Sequence, residues 1–320
     1  MPNLSRWILY PILFVVGLFA IAIAMVVVVL TLTYPNLPSL EVLTDYRPKI
    51  PLRVFTVDGQ MIGEFGEERR EIIRFSDVPE VMKQAILAAE DERFYQHGGV
   101  DAQGILRAAV SNFVGGSRRQ GASTITQQVA KNFFLSSEKT YVRKLYEALL
   151  SFKIERNLSK DQIFELYINQ IFLGQRAYGF GAAAQIYFGK SLKELTIAEA
   201  AMLAGLPKAP SAFNPVVNPK RARLRQQYVL RRMHELGFIN AEQHETATKQ
   251  ALIVKRETNV FPVHAEYVAE MARQIAADRF PDDVYSAGLK VYTTIHQEDQ
   301  EAAYASLRRN VLDYDRRHGY

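Results

Sequence analysis

An uninterrupted apolar run near the N-terminus constrains this chain more than any other feature. No charged residue occurs from Trp7 to Leu40, and the segment from Ile8 to Tyr34 is almost entirely apolar. A helix of about 20 apolar residues is long enough to cross the hydrocarbon core of a bilayer. The run exceeds the apolar part of a secretory signal, and no small-residue cleavage pattern ends it. The sequence therefore predicts a transmembrane helix over residues 7–34; the alternative is a long buried helix of a soluble domain.

The charges that flank the apolar run predict its orientation. Arg6 and the terminal amine precede it, whereas acidic and basic residues are mixed in the segment 41–49 that follows. Positive charge is retained on the cytoplasmic side of bacterial membranes. We therefore expect residues 1–6 to be cytoplasmic and the rest of the chain, beyond a single span, to be external.

The overall composition is ordinary for a folded protein, with 48% hydrophobic and 23% charged residues among 320. The chain contains no cysteine, which excludes disulfides and thiol chemistry. A formal net charge of +5 fits either a solvated basic surface or an anionic partner such as a phosphate or a lipid head group. No nucleic-acid-binding motif accompanies this charge, so we expect no nucleic-acid partner.

Local patterns divide the chain after the apolar run. Three prolines predict an extended stalk over residues 35–51, and two strand-like runs, Leu52–Val57 and Gln60–Phe65, predict a β-hairpin. Asp58-Gly59 between them is typical of a type I′ turn. Apolar residues recur at helical spacing from 78 to 251, which predicts a mainly α domain. The alternating run Leu289–Ile295 predicts a strand near the end of the chain.

The first segment with catalytic character runs from Glu90 to Asp101, where adjacent acids at a helix end precede a His-Gly-Gly sequence. Glu90 is expected to lie beside the apolar helix face that contains Ile86 and Ala89. Burial there would raise the pKa of its carboxyl, and a raised pKa suits a general base near neutral pH. The alternative is a solvated acidic helix end.

A second segment, Gly121–Gln128, is rich in uncharged hydroxyl and amide side chains. Such groups supply the donors and acceptors of a sugar-binding cleft. Lys131 and Asn132 follow, and Lys131 shares a face with Gln128 if the segment is helical. The alternative is a polar loop that caps a helix through its hydroxyl groups, and the two interpretations are compatible.

A third segment places Arg143 and Glu147 four residues apart, on one face of a helix. This pair is either a surface salt bridge worth less than about 1 kcal/mol or, with Lys144, a phosphate clamp beside a second acid. Two further segments, Lys160–Asn169 and Arg176–Ala184, have the pattern of scaffold, with Arg176 expected near the cleft.

In this order and at this spacing, the five segments resemble the peptidoglycan glycosyltransferase domain of class A penicillin-binding proteins. The family patterns are approximately E-D-x-x-F-x-x-H-x-G, G-x-S-T-x-T-Q-Q, R-K-x-x-E, K-x-x-I-x-x-x-Y-x-N and R-x-x-x-G-x-x-x-A. The resemblance extends from about residue 50 to 240, and it is nearer to the 1A type because no extra domain precedes Glu90.

The resemblance implies a mainly α, lysozyme-like fold with two lobes and a small β-hairpin. It implies that Glu90 is the general base for the acceptor sugar hydroxyl and that Glu147 is a second acid beside the donor pyrophosphate. The implied substrate-binding residues are Asp91, Phe94, His97, Thr124, Gln128, Lys131, Asn132, Arg143 and Lys144. The smaller lobe, which would dip into the membrane, would include Ile105, Leu106, Val110, Phe113, Val114 and 133–135.

The implied reaction polymerises lipid II into β-1,4-linked glycan strands with inversion and release of undecaprenyl pyrophosphate. No cofactor is required; a divalent cation, Mg²⁺ or Mn²⁺, can assist, although no residues have dedicated metal-ligand spacing. The implied partners are lipid II, the growing strand, membrane lipids and other cell-wall synthesis proteins. The implied location is the bacterial inner membrane, with the catalytic domain on the periplasmic side.

The resemblance also predicts a domain division, with the glycosyltransferase domain at 52–245 and residues 246–320 as a linker towards a transpeptidase domain. Ser136–Lys139 fits the S-x-x-K pattern of that second domain by chance, because its partner motifs are missing. Two alternatives remain, a lysozyme-like peptidoglycan hydrolase and a non-catalytic membrane-anchored scaffold. A hydrolase would not need a cationic cluster of Lys131, Arg143 and Lys144 for pyrophosphate, nor would it need a membrane anchor and an apolar smaller lobe.

Overall fold

The protein, in a computed structural model, begins with one long helix, α1 (Leu4–Thr33). The structure describes residues 4–45, 48–114, 123–135, 140–255 and 261–319. Considering only the residues whose side chains are described, no helix is long and apolar enough to cross a membrane. The transmembrane segment at 7–34 thus stays a prediction.

Beyond α1 the fold is mainly helical, as the sequence predicted, and it contains two small sheets. The helices that follow are α2 (Glu41–Thr44), α3 (Glu80–Glu90), α4 (Ala102–Val114), α5 (Ile125–Phe134), α6 (Tyr141–Asn157), α7 (Lys160–Gln170), α8 (Phe180–Phe188), α9 (Ile197–Ala204), α10 (Pro219–Glu235), α11 (Ala241–Lys249), α12 (Glu266–Arg279) and α13 (Gln297–His318). The strands are β1 (Leu52–Phe55), β2 (Met61–Phe65), β3 (Arg69–Arg70), β4 (Ala177–Tyr178) and β5 (Lys290–Tyr292).

Side-chain caps fix where several helices begin. The Thr196 hydroxyl accepts a hydrogen bond from the Glu199 N–H at 3.3 Å, and the Glu199 carboxylate accepts one from the Thr196 N–H at 2.9 Å. Together these two bonds form a capping box, and residues 196–199 have its Thr-x-x-Glu pattern. Equivalent reciprocal pairs start α5 at Thr124 and α7 at Ser159. These contacts satisfy N–H groups that a helix end leaves unpaired.

One hydrophobic core joins α3 to the helices from α5 to α11. Helix α3 packs against α9 and α10, while α5 packs against α6 and α7. The largest fully buried side chains of this core are aromatic: Phe94, Phe164, Tyr167, Phe180 and Tyr187. Because α3 ends inside this group of helices, its last residue is surrounded by protein rather than by solvent.

The segment between α1 and the hairpin differs from the extended stalk predicted for 35–51. It contains a short 3-10 turn and helix α2, and the side chains of Leu37 and Leu43 are buried in the main core. The Lys153 ammonium on α6 donates to the Pro38 carbonyl oxygen at 2.8 Å. Apolar side chains at these two positions therefore attach the segment to the helical domain.

The hairpin packs with the C-terminal segment rather than with the main core. Strand β1 pairs antiparallel with β2 and parallel with β5, so that the sheet order is β2-β1-β5. Leu52, Val54 and Ile62 share a second apolar cluster with residues of α12 and with Val263 and Val284. The strand predicted at 289–295 is confirmed as β5, and the chain segment assigned to a linker thus contributes to one sheet with the hairpin.

The hairpin turn is not of the predicted type I′. Gly59 has a positive φ of 86°, but Asp58 does not, and type I′ requires positive φ at both central residues. Instead, the Gly59 N–H donates to the Thr56 carbonyl at 3.1 Å, and the Thr56 N–H donates to the Gln60 carbonyl at 2.9 Å. The loop therefore has three residues, and only its last requires the conformational freedom of glycine.

Candidate active site

Glu90 is the last residue of α3, and its carboxylate contacts side chains from α5 and α10. Its Oε2 atom accepts a hydrogen bond from Gln128 Nε2 at 2.8 Å, and its Oε1 atom lies 3.8 Å from Arg225 Nη2. Its side chain is only 11% exposed. In the described part of the chain, no donor lies within hydrogen-bond distance of Oε1. One carboxylate oxygen is thus fixed, and the other is available.

Burial is the main influence on Glu90, and it raises the pKa of this carboxyl above its ordinary value. The adjacent Asp91 carboxylate adds to the rise of the pKa, whereas the Gln128 hydrogen bond and the charges of Arg225 and Lys208 oppose it. A carboxyl group whose pKa is raised towards neutrality is suited to accept a proton from a substrate hydroxyl.

Asp91 has a different environment from that of its neighbour. Both of its carboxylate oxygens lie 3.0 Å from His97 Nε2, and Oδ2 also accepts the Ile125 N–H at the start of α5, at 3.1 Å. Asp91 therefore ties the end of α3 to the His97 segment and to α5. The structure brings Asp91 and His97 together, as expected for two residues of one motif.

Phe94, predicted to bind substrate, lies inside the core with no exposed surface. Its ring packs against Phe164, and the Lys160 ammonium lies 4.4 Å from the ring centroid. Lys160 also donates to the His97 carbonyl oxygen at 2.6 Å and pairs with Glu155 at 2.7 Å. In this structure Phe94 supports the loop that carries His97, and α7 contributes Lys160 to that support.

Thr124 is 2% exposed, and its hydroxyl acts both as a hydrogen-bond donor and as an acceptor. The hydroxyl donates to the Gly99 carbonyl oxygen at 2.6 Å and accepts from the Gln127 N–H at 3.1 Å. It therefore caps α5 and joins it to the Gly98-Gly99 turn. One turn along α5, Gln128 is the member of this segment that reaches Glu90.

The third segment forms a charged cluster on α6. Glu147 is 1% exposed, and its two carboxylate oxygens pair with the Arg143 guanidinium and the Lys144 ammonium. The Lys144 ammonium also lies 3.0 Å from the Ser123 hydroxyl, beside the start of α5. The predicted contact between Arg143 and Glu147 is present. Because Glu147 is buried, this contact is not the exposed surface salt bridge that was the alternative interpretation.

Three other predicted residues neither hydrogen-bond nor form an ion pair with Glu90 in the described part of the chain. Lys131 is exposed on α5, and Asn132 lines a cavity of about 570 Å³ whose walls also include α2, Arg70 and Gln170. Arg176 donates to the carbonyl oxygens of Gly66 and Glu67. Its side chain lines a larger cavity, of about 740 Å³, between the hairpin and α12. Neither cavity is lined by Glu90 or Glu147.

Part of the predicted membrane-facing lobe is exposed on α4. Ile105, Leu106 and Val110 have 44%, 67% and 56% of their surface exposed. Residues 133–135, predicted for the same surface, are partly buried against the main core. The side chains of Phe113 and Val114 lie outside the described residues, as do Ser136–Lys139 and part of the Gly121–Gln128 segment.

Sequence reasoning missed Arg225, Lys208 and Tyr167 as neighbours of Glu90. Arg225 belongs to a helix with several other basic residues, so charge alone does not distinguish it. Tyr167 is fully buried on α7, and its pKa is raised well above the ordinary value by burial and then by the charge of Glu90. Only helix packing reveals these neighbours, because they are far from Glu90 in sequence.

Gln128 on α5 contacts a buried carboxylate with one available oxygen, and Ser123 just before α5 contacts the cluster of a second buried acid and two cations. These groups are suited to acid–base chemistry beside an anion. The sequence model of the family described as Transglycosylase matches residues 58–234, more than half of the chain. The chain therefore belongs to the transglycosylase family, and the resemblance predicted from the five segments is confirmed.

Several relatives extend well beyond this chain. Penicillin-binding protein 1A of Neisseria lactamica is 55% identical over 306 residues, which cover 96% of this chain and 38% of that protein. Penicillin-binding protein 1A of Pseudomonas aeruginosa is 48% identical, over 89% of this chain and 35% of that protein. A crystal structure of penicillin-binding protein 1A from Haemophilus influenzae gives a TM-score of 0.48 at 34% identity, covering 85% of this chain and 31% of that chain. The chain thus spans little more than a third of the length of the Neisseria lactamica and Pseudomonas aeruginosa proteins.

Proposed function

We propose that this chain is a peptidoglycan glycosyltransferase that polymerises lipid II. The observation that carries the proposal is the Glu90 carboxylate, which is buried at the end of α3 with Oε2 bonded to Gln128 and Oε1 available. Membership of the transglycosylase family supports the class of reaction. A lysozyme-like hydrolase and a non-catalytic scaffold are less consistent with this membership.

In the proposed reaction, Glu90 removes the proton from the 4-hydroxyl of the acceptor sugar. The oxygen of that hydroxyl attacks the anomeric carbon of the donor, from the face opposite the pyrophosphate, while the bond to the pyrophosphate breaks. This displacement inverts an α-linked donor to a β-1,4 linkage. The transition state has oxocarbenium character, as in glycoside hydrolysis.

The Arg143 and Lys144 cluster is the proposed site for the departing pyrophosphate. Negative charge on the leaving group grows as its bond breaks, so fixed cations stabilise the transition state more than the ground state. Lys144 is 51% exposed, which leaves part of its side chain accessible. We expect any divalent cation to enter with the pyrophosphate of the substrate, as Mg²⁺ does at other phosphate sites.

We further propose that α1 anchors the protein in the bacterial inner membrane and that the helical domain lies on the periplasmic side as a lysozyme-like, two-lobed fold. The helix has 30 residues and a length of about 45 Å, which exceeds the hydrocarbon core of a bilayer. Several side chains of α1, including those of 4–9, 26–27 and 29–30, lie outside the described set, so this proposal rests on the sequence. The other proposed partners are the growing glycan strand and membrane lipids.

The test is polymerisation of fluorescent lipid II by the full chain in detergent, with product length read on a gel. Glu90→Gln removes the base and keeps the size of the side chain, so we expect a loss of about a hundredfold or more. Glu80→Gln is the matched control, because Glu80 is exposed at the other end of α3. Activity of a folded Glu90→Gln protein within about threefold of the unmodified chain would exclude Glu90 as the base.

A further inference from the structure

We propose that Arg225 is a positioning residue for Glu90. Its guanidinium holds a positive charge beside Glu90 Oε1 without forming a hydrogen bond to that oxygen. The inference rests on the proposed function, because it assigns Glu90 the role of base. Arg225 lies outside the five segments that predicted the site, on helix α10.

The position of Arg225 is unusual for an arginine. It is 9% exposed, and its guanidinium Nη2 lies 3.8 Å from Glu90 Oε1. Its Nε atom is buried, with no hydrogen-bond partner among the described residues. A buried cation is costly unless an opposite charge compensates it, and Glu90 is the carboxylate that Arg225 faces.

Three contacts hold the guanidinium at this distance. Nη2 donates to the Ala89 carbonyl oxygen at 3.4 Å, and the guanidinium carbon lies 4.5 Å from the centroid of the Tyr228 ring. The stem of Arg225 passes Gly205, where an added Cβ atom would lie 2.9 Å from Arg225 Cγ. Glycine at 205 therefore provides the space in which the side chain lies along α9.

This arrangement gives the two carboxylate oxygens of Glu90 different environments. Oε2 is fixed by Gln128, whereas Oε1 faces a charge that is beyond hydrogen-bond distance. A donor in direct contact with Oε1 would compete with the substrate hydroxyl for its lone pair. A charge at 3.8 Å instead favours the ionised carboxylate and leaves Oε1 able to accept the proton.

The groups around Glu90 make opposing contributions to its ionisation. Burial and the Asp91 carboxylate raise its pKa, whereas the charges of Arg225 and Lys208 lower it, as does the Gln128 hydrogen bond. The Tyr167 hydroxyl on α7 is neutral, because its own pKa is raised well above the ordinary value. Loss of Arg225 would therefore raise the pKa of Glu90 further.

The first test is the pH profile of polymerisation by the full chain. Arg225→Met removes the charge and keeps an aliphatic stem. We expect its rate to fall about tenfold on the acid side of the profile and to approach the unmodified rate at high pH, since ionisation of Glu90 then requires a higher pH. KM for lipid II should stay unchanged, and Arg225→Lys should restore part of the lost rate.

The matched control is Arg231→Met on the same helix. Arg231 is 61% exposed and lies over the same Tyr228 ring, at 5.6 Å from its centroid. This variant should keep the unmodified pH profile. A purely structural role for Arg225 predicts instead a loss that is equal at every pH, and that result would overturn the assignment.

The second test needs no substrate. In protein carrying ¹³C-labelled glutamate, the carboxyl resonance of Glu90 is the one lost in Glu90→Gln, and its titration midpoint should move to higher pH in Arg225→Met but not in Arg231→Met. If the chain makes no polymer, the proposed function fails and this titration still decides the role of Arg225. An unchanged midpoint in folded Arg225→Met overturns the assignment.

A further variant covers the case in which Arg225→Met does not fold. Gly205→Ala keeps the charge but displaces the Arg225 stem, because the new Cβ atom would approach Cγ too closely. The Glu90 midpoint should move in the same direction by a smaller amount. A folded Gly205→Ala protein whose Glu90 titrates as in the unmodified chain would count against the contact.

Discussion

Glu90 and Asp91 are adjacent acids with different chemistry, and their environments explain the difference. Asp91 faces His97 with both oxygens and also accepts a backbone N–H. Glu90 accepts one hydrogen bond, from a neutral amide, and faces a guanidinium at a greater distance. Only Glu90 retains a carboxylate oxygen that accepts no hydrogen bond from the described residues, so Glu90 is the candidate base. Asp91 instead holds the His97 loop and the start of α5 in place.

The raised pKa of Glu90 predicts a stability difference that depends on pH. A carboxyl whose pKa is higher in the folded than in the unfolded protein stabilises the fold at pH below the unfolded value. This contribution is lost as the pH rises through the folded value. Glu90→Gln lacks this titration, so its melting temperature should match that of the unmodified chain near pH 4 and exceed it at neutral pH.

The measurement is thermal unfolding of both proteins in detergent across this pH range. Glu80→Gln again serves as the control and should follow the unmodified chain, because Glu80 is exposed. A Glu90→Gln protein that is less stable than the unmodified chain at neutral pH, with no difference near pH 4, would contradict the assigned direction of the pKa.

At the scale of elements, α5 connects the two parts of the candidate site. Gln128 on this helix reaches Glu90, while Ser123, just before it, contacts the Lys144 ammonium that pairs with Glu147. The start of α5 is fixed by Thr124 and by the Ile125 N–H bond to Asp91. A change at the cap therefore affects both acids through one helix.

Thr124→Val should act mainly through stability. It removes a cap that contributes about 1 kcal/mol and leaves the buried Gly99 carbonyl without its donor. We expect a lower melting temperature and a parallel loss of polymerisation, with Thr124→Ser close to the unmodified chain. Thermal unfolding and the lipid II assay on the same samples measure both effects.

Thr196→Val is the matched control, since Thr196 caps α9 by the same capping box away from Glu90. It should lower stability and affect polymerisation less. If Thr124→Val abolished polymerisation with an unchanged melting temperature, Thr124 would have the substrate-binding role that the family resemblance implies.

At the scale of the whole molecule, the protein presents an apolar surface on α4 in addition to α1. Leu106 and Val110 are 67% and 56% exposed and lie four residues apart, on one face of the helix. Exposed apolar groups in one place mark interaction or membrane surfaces. Leu37 and Leu43 are buried in the main hydrophobic core. A shortened chain that lacks α1 but keeps this core intact should therefore begin at Pro35.

A chain that begins at Pro35 should bind phosphatidylcholine vesicles through α4. Leu106→Gln with Val110→Gln should weaken this binding by about tenfold or more, because burial of each side chain is worth about 1.5–3 kcal/mol. Co-sedimentation with the vesicles measures the effect, after circular dichroism has established that each protein is helical. Leu224→Gln on α10 is the control, since Leu224 is 68% exposed. Equal binding by all three proteins would refute a role of α4 at the membrane.

Local patterns in the sequence were enough to predict several features of this protein. The capping boxes, the helical periodicity and strand β5 follow from interactions between residues close in sequence, which a pattern can reveal. The five segments were sufficient to identify the family, and the apolar face beside Glu90 predicted the direction of its pKa. The predicted turn type at Asp58-Gly59 was wrong, because Thr56 pairs with Gln60 and the loop therefore includes Val57 as well as the dipeptide.

The packing of the helices sets which residues surround Glu90 and which segments share a core. Arg225 is one of many basic residues on α10, and burial against α3 and α9 distinguishes it from Arg231. The pairing of β1 with β5 joins residues more than two hundred positions apart, and no local pattern specifies such a partner. Burial and long-range contacts depend on how helices pack, so the sequence identified the candidate base and the fold identified what holds it in place.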